Sequence, residues 1–362
     1  MRVALVHDWL IRMRGGEKVL EALCELFPDA DLYTLIYREK HISDVIRKRK
    51  VKPSFLNALP QVNKWYQWLL PVFPFAIERF NLKGYDLVLS TSHCVAKGVK
   101  VGSGTRHICY CFTPMRYIWG FEEEYFRNKN WLFKESFIPV KNYLRKWDLE
   151  SNNRVNHFIA ISNNIRERLI KFYGRESDVL YPPVDTSYFM PDSAGAENYF
   201  LIVSALVPYK RIDVAIEAFN KLNLPLVIIG EGPCEKELKK RSHTNITFMK
   251  WQPMSVLRKF YNRCRALIFP GEEDFGIVPL EAQACGCPVI AYEKGGVLET
   301  VVEGKTGLFF YPQSPDALIE AVRRFDPDGF SKDEIRAHAV QFDKEIFKTK
   351  FKALVNRLRN GG

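Results

Sequence analysis

The feature that most constrains the fold is an alternation of short apolar segments with helical segments, which runs through both halves of the 362-residue chain. In the second half, helices are predicted over residues 212–221, 235–241 and 254–263, with an apolar strand-like segment on either side of each. Such an alternation predicts parallel sheets that are covered by helices on both faces. Because the chain is too long for one ordinary core, we predict two doubly wound α/β domains that face each other across a cleft.

The boundary between the domains is predicted at a proline-containing stretch. Residues 181–185 contain two consecutive prolines, and a polar segment follows at 191–197. We therefore assign residues 1–183 to an N-terminal domain and residues 184–342 to a C-terminal domain. The last run, about residues 343–362, has apolar residues at helical spacing and is expected to pack back on the N-terminal domain.

Residues 266–291 combine a strand, an acidic glycine-containing turn, a helix and a second strand. The helix is predicted to begin at Pro279, because proline suits the first helical position. The backbone N–H groups after Gly276 would then lie at the end of a strand and the start of a helix, where a phosphate binds well. Glu273 and Glu281 flank this turn, and carboxylates in such places commonly hold ribose hydroxyls. The pattern predicts a site for a sugar-bearing nucleotide.

A second glycine turn follows the first predicted strand. Gly15 and Gly16 open a helical run, and glycine allows the backbone to approach a ligand closely at a helix start. A glycine pair is also compatible with a simple tight turn. His7 and Asp8, at the end of the strand before it, either belong to the core or face a substrate.

Positive charge is concentrated in the first half of the chain. Residues 1–180 contain 29 lysines and arginines against 19 acidic residues, whereas residues 181–362 contain 24 against 23. This asymmetry is compatible with an anionic membrane, a phosphorylated substrate, nucleic acid or a solvated basic face. Nucleic acid is disfavoured, because no recognisable nucleic-acid-binding module accompanies the charge. The acidic run Glu122–Glu124 is interpreted as a solvated face.

Residues 48–80 combine basic side chains with a dense group of tryptophans, phenylalanines and leucines. This mixture suits the interface of an anionic membrane. The alternative is a helical hairpin that packs on its own domain. Pro71 and Pro74 argue against one long amphipathic helix.

Apolar runs elsewhere do not approach the roughly 18 residues of a membrane span. The opening residues form a strand-like run that is too short for the core of a signal peptide. The eight cysteines lack paired CxxC spacing and are interpreted as buried reduced thiols. We expect a cytoplasmic protein with a peripheral contact at the inner face of the cell membrane.

The motifs resemble those of a known enzyme family. Glu273 and Glu281 stand at E-x7-E spacing within EEDFGIVPLEAQACGCPVIA, which resembles the signature of retaining glycosyltransferases of family 4, enzymes with the GT-B fold. Further similar segments, which together cover almost the whole chain, are RGGEKVLEAL, YCFTPMRYIWG, VSALVPYKR, IIGEGP and EKGGVLETVVEGKTGLFF. The segments EEDFGIVPLEAQA and TPMRYIW are similar to those of bacterial mannosyltransferases that build lipid-linked surface polysaccharides.

The resemblance implies a role for each matching residue. Glu281 is expected to bind the ribose hydroxyls, Glu273 to hold the transferred sugar, and Lys210 to bind the diphosphate. The further residues implied in donor binding are Gly15, Gly16, Ser204, Gly230, Phe275, Gly276, Ile277 and Val278. A metal motif of the DXD kind is missing from the expected loops, so the resemblance implies a metal-independent enzyme without a cofactor.

Two positions depart from the family pattern. Ala205 stands where the family usually has an arginine of the diphosphate pair, so one cation is missing unless Arg211 supplies it. Phe112 stands where many members have a histidine before Thr-Pro. His93 is a candidate for the same cleft, and the remaining candidates for acceptor contact or wall packing are Arg116 and Tyr117.

The implied reaction transfers a hexosyl group, here mannose from GDP-mannose, with retention to a lipid-linked or saccharide acceptor. Fixed cations and N–H dipoles aimed at the leaving diphosphate are the main catalytic need of such a reaction. Front-face attack by the acceptor hydroxyl suits a retaining site without an obvious nucleophile. Two alternatives stay open: a sugar-nucleotide epimerase of the same fold, and a nucleotide-sugar-binding protein with weakened catalysis.

Overall fold

The computed structural model describes residues 1–120, 131–193, 195 and 197–359. The acidic run Glu122–Glu124 and parts of the segment 191–197 lie outside these residues. The described chain divides into two compact units, one formed by Met1–Pro183 together with the chain from Phe347 onward, and the other by Val184–Ile346.

The first unit is built on a seven-stranded parallel sheet with the order β3-β2-β1-β4-β5-β6-β7. The residues of its strands alternate along the chain with helices, as the sequence predicts. The strands are β1 Val3–His7, β2 Asp31–Thr34, β3 Val51–Pro53, β4 Leu87–Ser92, β5 Arg106–Cys111, β6 His157–Ala160 and β7 Ser177–Val179. The helices are Gly15–Leu26, Asp44–Arg47, Val62–Trp65, Phe73–Ile77, Trp131–Ser151 and Asn163–Tyr173.

The second unit has a six-stranded parallel sheet with the order β10-β9-β8-β11-β12-β13. Its strands are β8 Phe200–Val203, β9 Leu226–Ile229, β10 Ile246–Met249, β11 Leu267–Phe269, β12 Val289–Tyr292 and β13 Gly307–Phe310. Its helices are Ile212–Leu222, Glu235–Arg241, Met254–Arg263, Ile277–Ala284, Pro315–Arg324 and Lys332–Val340, and the final helix of the chain is Lys344–Arg359.

The central strands are largely buried because helices cover both faces of each sheet. Every residue of β1, β4 and β12 is buried. Local signals set several helix ends. The Ser162 hydroxyl accepts a hydrogen bond from the N–H of Ile165, and Gly174 ends that helix in the left-handed conformation.

Within the aromatic segment, residues 48–80, the stretch 62–77 forms three short elements. The helix Val62–Trp65 is followed by a 3₁₀ helix over Tyr66–Val72 and by the helix Phe73–Ile77. The two prolines thus exclude one long helix, as predicted. The buried side chains of the segment that belong to the core of the unit are Leu56, Val62, Phe73, Ala76 and Ile77.

The chain from Phe347 onward packs within the first unit. The rings of Phe347 and Phe351 lie 5.9 Å and 6.3 Å from that of Tyr110, which is fully buried. Arg357 pairs with Asp178 at 2.6 Å at the edge of the same sheet. Aromatic packing and an ion pair therefore hold this part of the last helix. Within the described residues, no helix combines the length and apolar character required to cross a membrane.

Candidate active site

The candidate site of the second unit lies where its sheet changes winding direction. The chain winds from β8 through β9 to β10 on one side, and from β11 through β12 to β13 on the other. Loops that leave the carboxyl ends of β8 and β11 therefore diverge from neighbouring points, which is where doubly wound sheets bind ligands. Lys210 lies in the first of these loops and Glu273 in the second.

Lys210 and Glu273 form an ion pair, and both side chains are more than four-fifths buried. The backbones of the two loops also meet, since a Cβ atom at Gly271 would lie 2.9 Å from Cα of Lys210. The fold thus brings together the cation and the carboxylate that the resemblance assigns to the diphosphate and the transferred sugar. A phosphate group and sugar hydroxyls are the chemistry that such a pair can hold.

The loop that carries Glu273 is anchored on its other side by the turn after β12. The N–H of Gly296 donates to the Glu273 carbonyl at 2.8 Å, and a parallel bridge joins Glu273 to Gly295. The adjacent Glu272 pairs with Lys294 at 3.0 Å. The hydrogen bond from Gly296 and the bridge to Gly295 fix the backbone at Glu273, so its side chain projects from a defined position.

The helix that follows this loop begins at Ile277, two residues before the predicted start at Pro279. The prediction of its first residue was wrong because Gly276 is the residue before the first turn and has φ +119, a value that side-chain-bearing residues rarely adopt. Pro279 occupies the third helical position. It is still in the first turn, where backbone N–H groups have no hydrogen-bond acceptor within the helix. The N–H groups of Ile277 and Val278 lie in this first turn, beside the anchored Glu273 loop.

Glu281 is buried in the same helix. The hydroxyl of Tyr261, which is also buried, donates to its Oε2 atom at 3.2 Å. Burial, with the adjacent Glu281 charge, raises the pKa of Tyr261 well above its ordinary value, so the phenol keeps its proton. Tyr261 thereby restrains the carboxylate that the resemblance assigns to ribose. The sequence did not point to Tyr261, because it lies on another helix.

Ser204 and Gly230 lie side by side at the ends of β8 and β9. A Cβ atom at Gly230, where φ is +152, would lie 1.8 Å from the Ser204 carbonyl oxygen. Only glycine fits this contact. The two predicted donor-binding residues are therefore in backbone contact with each other.

Arg211 is braced by two residues that the sequence did not single out. Its guanidinium pairs with Asp213 at 3.2 Å and donates to Gln313 Oε1 at 2.9 Å. Gln313 in turn donates to the Pro270 carbonyl at 2.8 Å, which ties the loop after β8 to the loop after β11. These contacts give Arg211 a bracing role, and its predicted role as a replacement for the cation missing at Ala205 stays a prediction.

The first unit holds the other predicted glycines. Gly15 and Gly16 form the first two positions of the helix Gly15–Leu26, and the N–H of Arg14 donates to Glu17 Oε2 at 2.9 Å. A Cβ atom at Gly16 would lie 3.2 Å from the ring of Phe112. Gly16 and Phe112, which is one of the two positions that depart from the family pattern, are therefore direct neighbours. Their contact with a donor stays a prediction.

Three candidates for acceptor contact lie in the same unit. His93 follows β4, with 31% of its side chain exposed. Arg116 is buried, and the Tyr117 hydroxyl lies 2.6 Å from Cys94 Sγ. Arg116 is thus part of the packing, whereas His93 and Tyr117 are both partly exposed. Contact of any of the three with an acceptor stays a prediction. In the part of the chain that the structure describes, no group of three or more His, Cys, Asp or Glu side chains is placed to hold a metal ion.

Two family sequence models match the chain in succession. Residues 13–188 match the model described as Glycosyltransferase Family 4, and residues 187–341 match the model described as Glycosyl transferases group 1. The chain belongs to glycosyltransferase family 4. Together the two matches span nearly all of both units.

Individual proteins are similar to this family 4 glycosyltransferase to different extents. It is 28% identical to an uncharacterized glycosyltransferase of Methanocaldococcus jannaschii, with 96% of this chain and 93% of that protein covered. It is 30% identical over 193 residues to the GDP-mannose-dependent alpha-(1-6)-phosphatidylinositol monomannoside mannosyltransferase of Mycolicibacterium smegmatis. That match covers 45% of this chain and 50% of the mycobacterial enzyme.

Among solved structures, the family 4 glycosyltransferase resembles HepE of Anabaena in complex with UDP. The TM-score is 0.69 at 16% identity, and the match covers 99% of this chain and 100% of HepE. At this identity the likeness concerns the fold. The predicted fold class, two Rossmann-like domains of the GT-B type, is confirmed.

Proposed function

We propose that this glycosyltransferase is a metal-independent mannosyltransferase that moves mannose from GDP-mannose, with retention, to a lipid-linked or saccharide acceptor. The observation that carries the proposal is the Lys210–Glu273 pair, whose carboxylate lies on the anchored loop that leads into the helix Ile277–Ala284. The mycobacterial relative, whose name specifies GDP-mannose and a phosphatidylinositol mannoside, supports the choice of sugar and of a lipid-bearing acceptor.

The chemistry follows from the charges at this point of the sheet. Cleavage of the bond between the anomeric carbon and the diphosphate leaves the electron pair, and thus negative charge, on the diphosphate. The Lys210 ammonium and the N–H groups of Ile277 and Val278 stabilise that charge. Glu273 accepts hydrogen bonds from hydroxyls of the sugar, and Glu281 does so from ribose. The acceptor oxygen bonds to the anomeric carbon on the face that the diphosphate leaves, and its proton passes to a diphosphate oxygen.

A thermal-shift screen of GDP-, UDP- and ADP-sugars tests the donor. A ligand at a hundredfold its Kd stabilises the folded state by about 2.7 kcal/mol. We expect GDP-mannose to give the largest shift. A larger shift with a UDP- or ADP-sugar would refute the choice of GDP-mannose, and no shift with any of them would refute a nucleotide-sugar site.

Product analysis with and without an acceptor separates transfer from the two alternatives. Transfer gives a glycoside and GDP only when an acceptor is present. An isomerised sugar nucleotide formed without acceptor would identify an epimerase. Donor binding without any turnover would identify a nucleotide-sugar-binding protein.

We further propose that the aromatic segment within residues 48–80 contacts an anionic membrane from the cytoplasmic side. Its core side chains pack on the domain, as one of the two alternatives predicts. Four of its large apolar side chains nevertheless remain exposed. Phe55, Trp68, Val72 and Phe75 are 51%, 70%, 37% and 50% exposed. The guanidinium of Arg79 lies 4.2 Å from the Phe75 ring. Exposed aromatic rings next to cations match the headgroup region of anionic lipid.

Co-sedimentation of the full chain with vesicles tests this contact. We expect binding to vesicles of phosphatidylglycerol and phosphatidylcholine, and at least about tenfold weaker binding after the double change Trp68→Ser and Phe75→Ser. Trp251→Ser is the matched control, because Trp251 is 65% exposed but belongs to the second unit. Equal binding by the double variant and the control would refute the proposed surface.

A further inference from the structure

The carboxyl ends of β1 and β4 carry a polar cluster centred on Asp8, which has no exposed surface. One oxygen, Oδ2, accepts hydrogen bonds from the N–H groups of His93 and Cys94 at 2.8 Å and 3.0 Å. The other, Oδ1, accepts from Val95 and Ala96 at 2.7 Å each. Four N–H donors point at the two oxygens and hold the carboxyl group in one orientation.

The imidazole of His93 is a further partner of this carboxylate. Its Nδ1 atom lies 3.1 Å from Asp8 Oδ2. A carboxylate oxygen only accepts, so this contact favours a hydrogen on Nδ1, and in the neutral ring the lone pair is then on Nε2. Asp8 therefore favours this tautomer of His93.

The surroundings keep this imidazole neutral near pH 7. Packing lowers the pKa of His93 below its ordinary value of 6.5. The charge of Asp8 opposes this effect, His7 and Arg14 add to it, and Glu17 opposes it. The net direction is downward, so Nε2 remains a hydrogen-bond acceptor over the neutral range.

Aromatic rings flank the imidazole. Its centroid lies 4.5 Å from that of Trp9 in an edge-on arrangement and 6.2 Å from that of Phe112. His7 and Asp8 are fully buried, whereas the His93 side chain is partly exposed. A partly exposed imidazole between apolar rings matches the usual build of a site for a small polar ligand, in which a few polar groups lie among many apolar ones.

We propose that the Asp8–His93 dyad is an acceptor-hydroxyl site, in which His93 Nε2 accepts a hydrogen bond from a saccharide hydroxyl and Asp8 positions the ring. This inference rests on the proposed function, because the hydroxyl belongs to the glycosyl acceptor. His93 orients the hydroxyl and takes no proton, since the proton passes to the departing diphosphate.

Two substitutions distinguish the contributions of the two ring nitrogens of His93. In His93→Asn the amide can still donate to Asp8, but no atom remains at the place of Nε2. In His93→Gln the longer side chain returns a polar atom to that place. With octyl α-mannoside as the acceptor, we expect His93→Asn to raise KM about tenfold, the factor that corresponds to about 1.4 kcal/mol, and His93→Gln to recover most of this loss.

The pH profile adds a readout that a merely structural role would not change. In the natural chain, kcat/KM for octyl α-mannoside should fall at acid pH as Nε2 becomes protonated, and in His93→Gln this acid limb should disappear. An unchanged KM in His93→Asn would overturn the proposal. So would the same acid limb of kcat/KM in the natural chain and in His93→Gln.

Nitrogen NMR of the labelled protein tests the dyad without turnover. The chain has seven histidines, and the signals lost in His93→Gln identify His93. We expect a protonated Nδ1 and an unprotonated Nε2 whose resonance moves when octyl α-mannoside is added. The opposite tautomer, or a resonance that does not move, would refute the dyad. Thermal shifts with GDP-mannose should be equal in all variants, and a natural chain that binds no nucleotide sugar would refute the proposed function instead.

Discussion

Replacement of Asp8 by asparagine tests how much one buried carboxylate contributes to the end of β4. The natural side chain accepts four backbone N–H bonds of 2.7–3.0 Å from residues 93–96. Asparagine keeps one accepting oxygen and turns an NH₂ group toward the other two donors. A hydrogen bond to a charged group is worth about 1.5–3 kcal/mol, so the loss of two should destabilise this region by about 3–6 kcal/mol.

Hydrogen exchange measured by mass spectrometry on peptides that cover residues 93–96 is the suitable assay. A chain of two compact units need not unfold in one step, so a local measurement is more direct than a melting curve. A loss of about 3 kcal/mol corresponds to exchange at least about 100-fold faster. The matched control is Asp86→Asn, whose exposed carboxylate accepts one backbone bond, from Arg2. Exchange in Asp8→Asn within about threefold of the natural chain would refute the reasoning.

Two further predictions concern the donor loops and pH. Gly230→Ala should abolish the thermal shift with GDP-mannose, because the new Cβ atom would collide with the Ser204 carbonyl. The control Gly329→Ala should preserve the shift, because its Cβ atom meets nothing within 4 Å. Equal shifts in the two variants would contradict the contact. Burial lowers the pKa of His107 to about 4. The unfolded chain therefore binds its proton first, and about 3 kcal/mol of stability should be lost as pH falls from about 6.5 to 4. Urea denaturation checks this loss, and an equal acid loss in His107→Gln would contradict it.

The sequence predicted the parts of the fold that local signals determine. Apolar runs predict the central strands, and Ser162 and Gly174 are recognisable signals at the two ends of one helix. The same kind of signal located the donor loop, because a glycine between a strand and a helix is visible in the sequence. The strands β3 and β7 were missed, since three-residue strands at the edges of a sheet leave almost no periodic pattern.

Contacts between distant residues could not be predicted in this way. Gln313 lies 102 residues from Arg211, and Tyr261 lies 20 residues from Glu281 on a separate helix. Nothing in the spacing of these residues indicates that they meet. Asp213 is different, because an acidic residue in the first turn of a predicted helix is a recognisable signal that could have been connected with Arg211.

The most direct test of the central claim compares Glu273→Ala with Glu272→Ala in the transfer of mannose from GDP-mannose. The two glutamates share one loop, but Glu273 pairs with Lys210 and Glu272 pairs with Lys294. We predict that Glu273→Ala lowers the rate of transfer at least about 100-fold while the fold persists, and that Glu272→Ala retains the rate within a few fold. Undiminished transfer by Glu273→Ala would contradict the assignment of the active site.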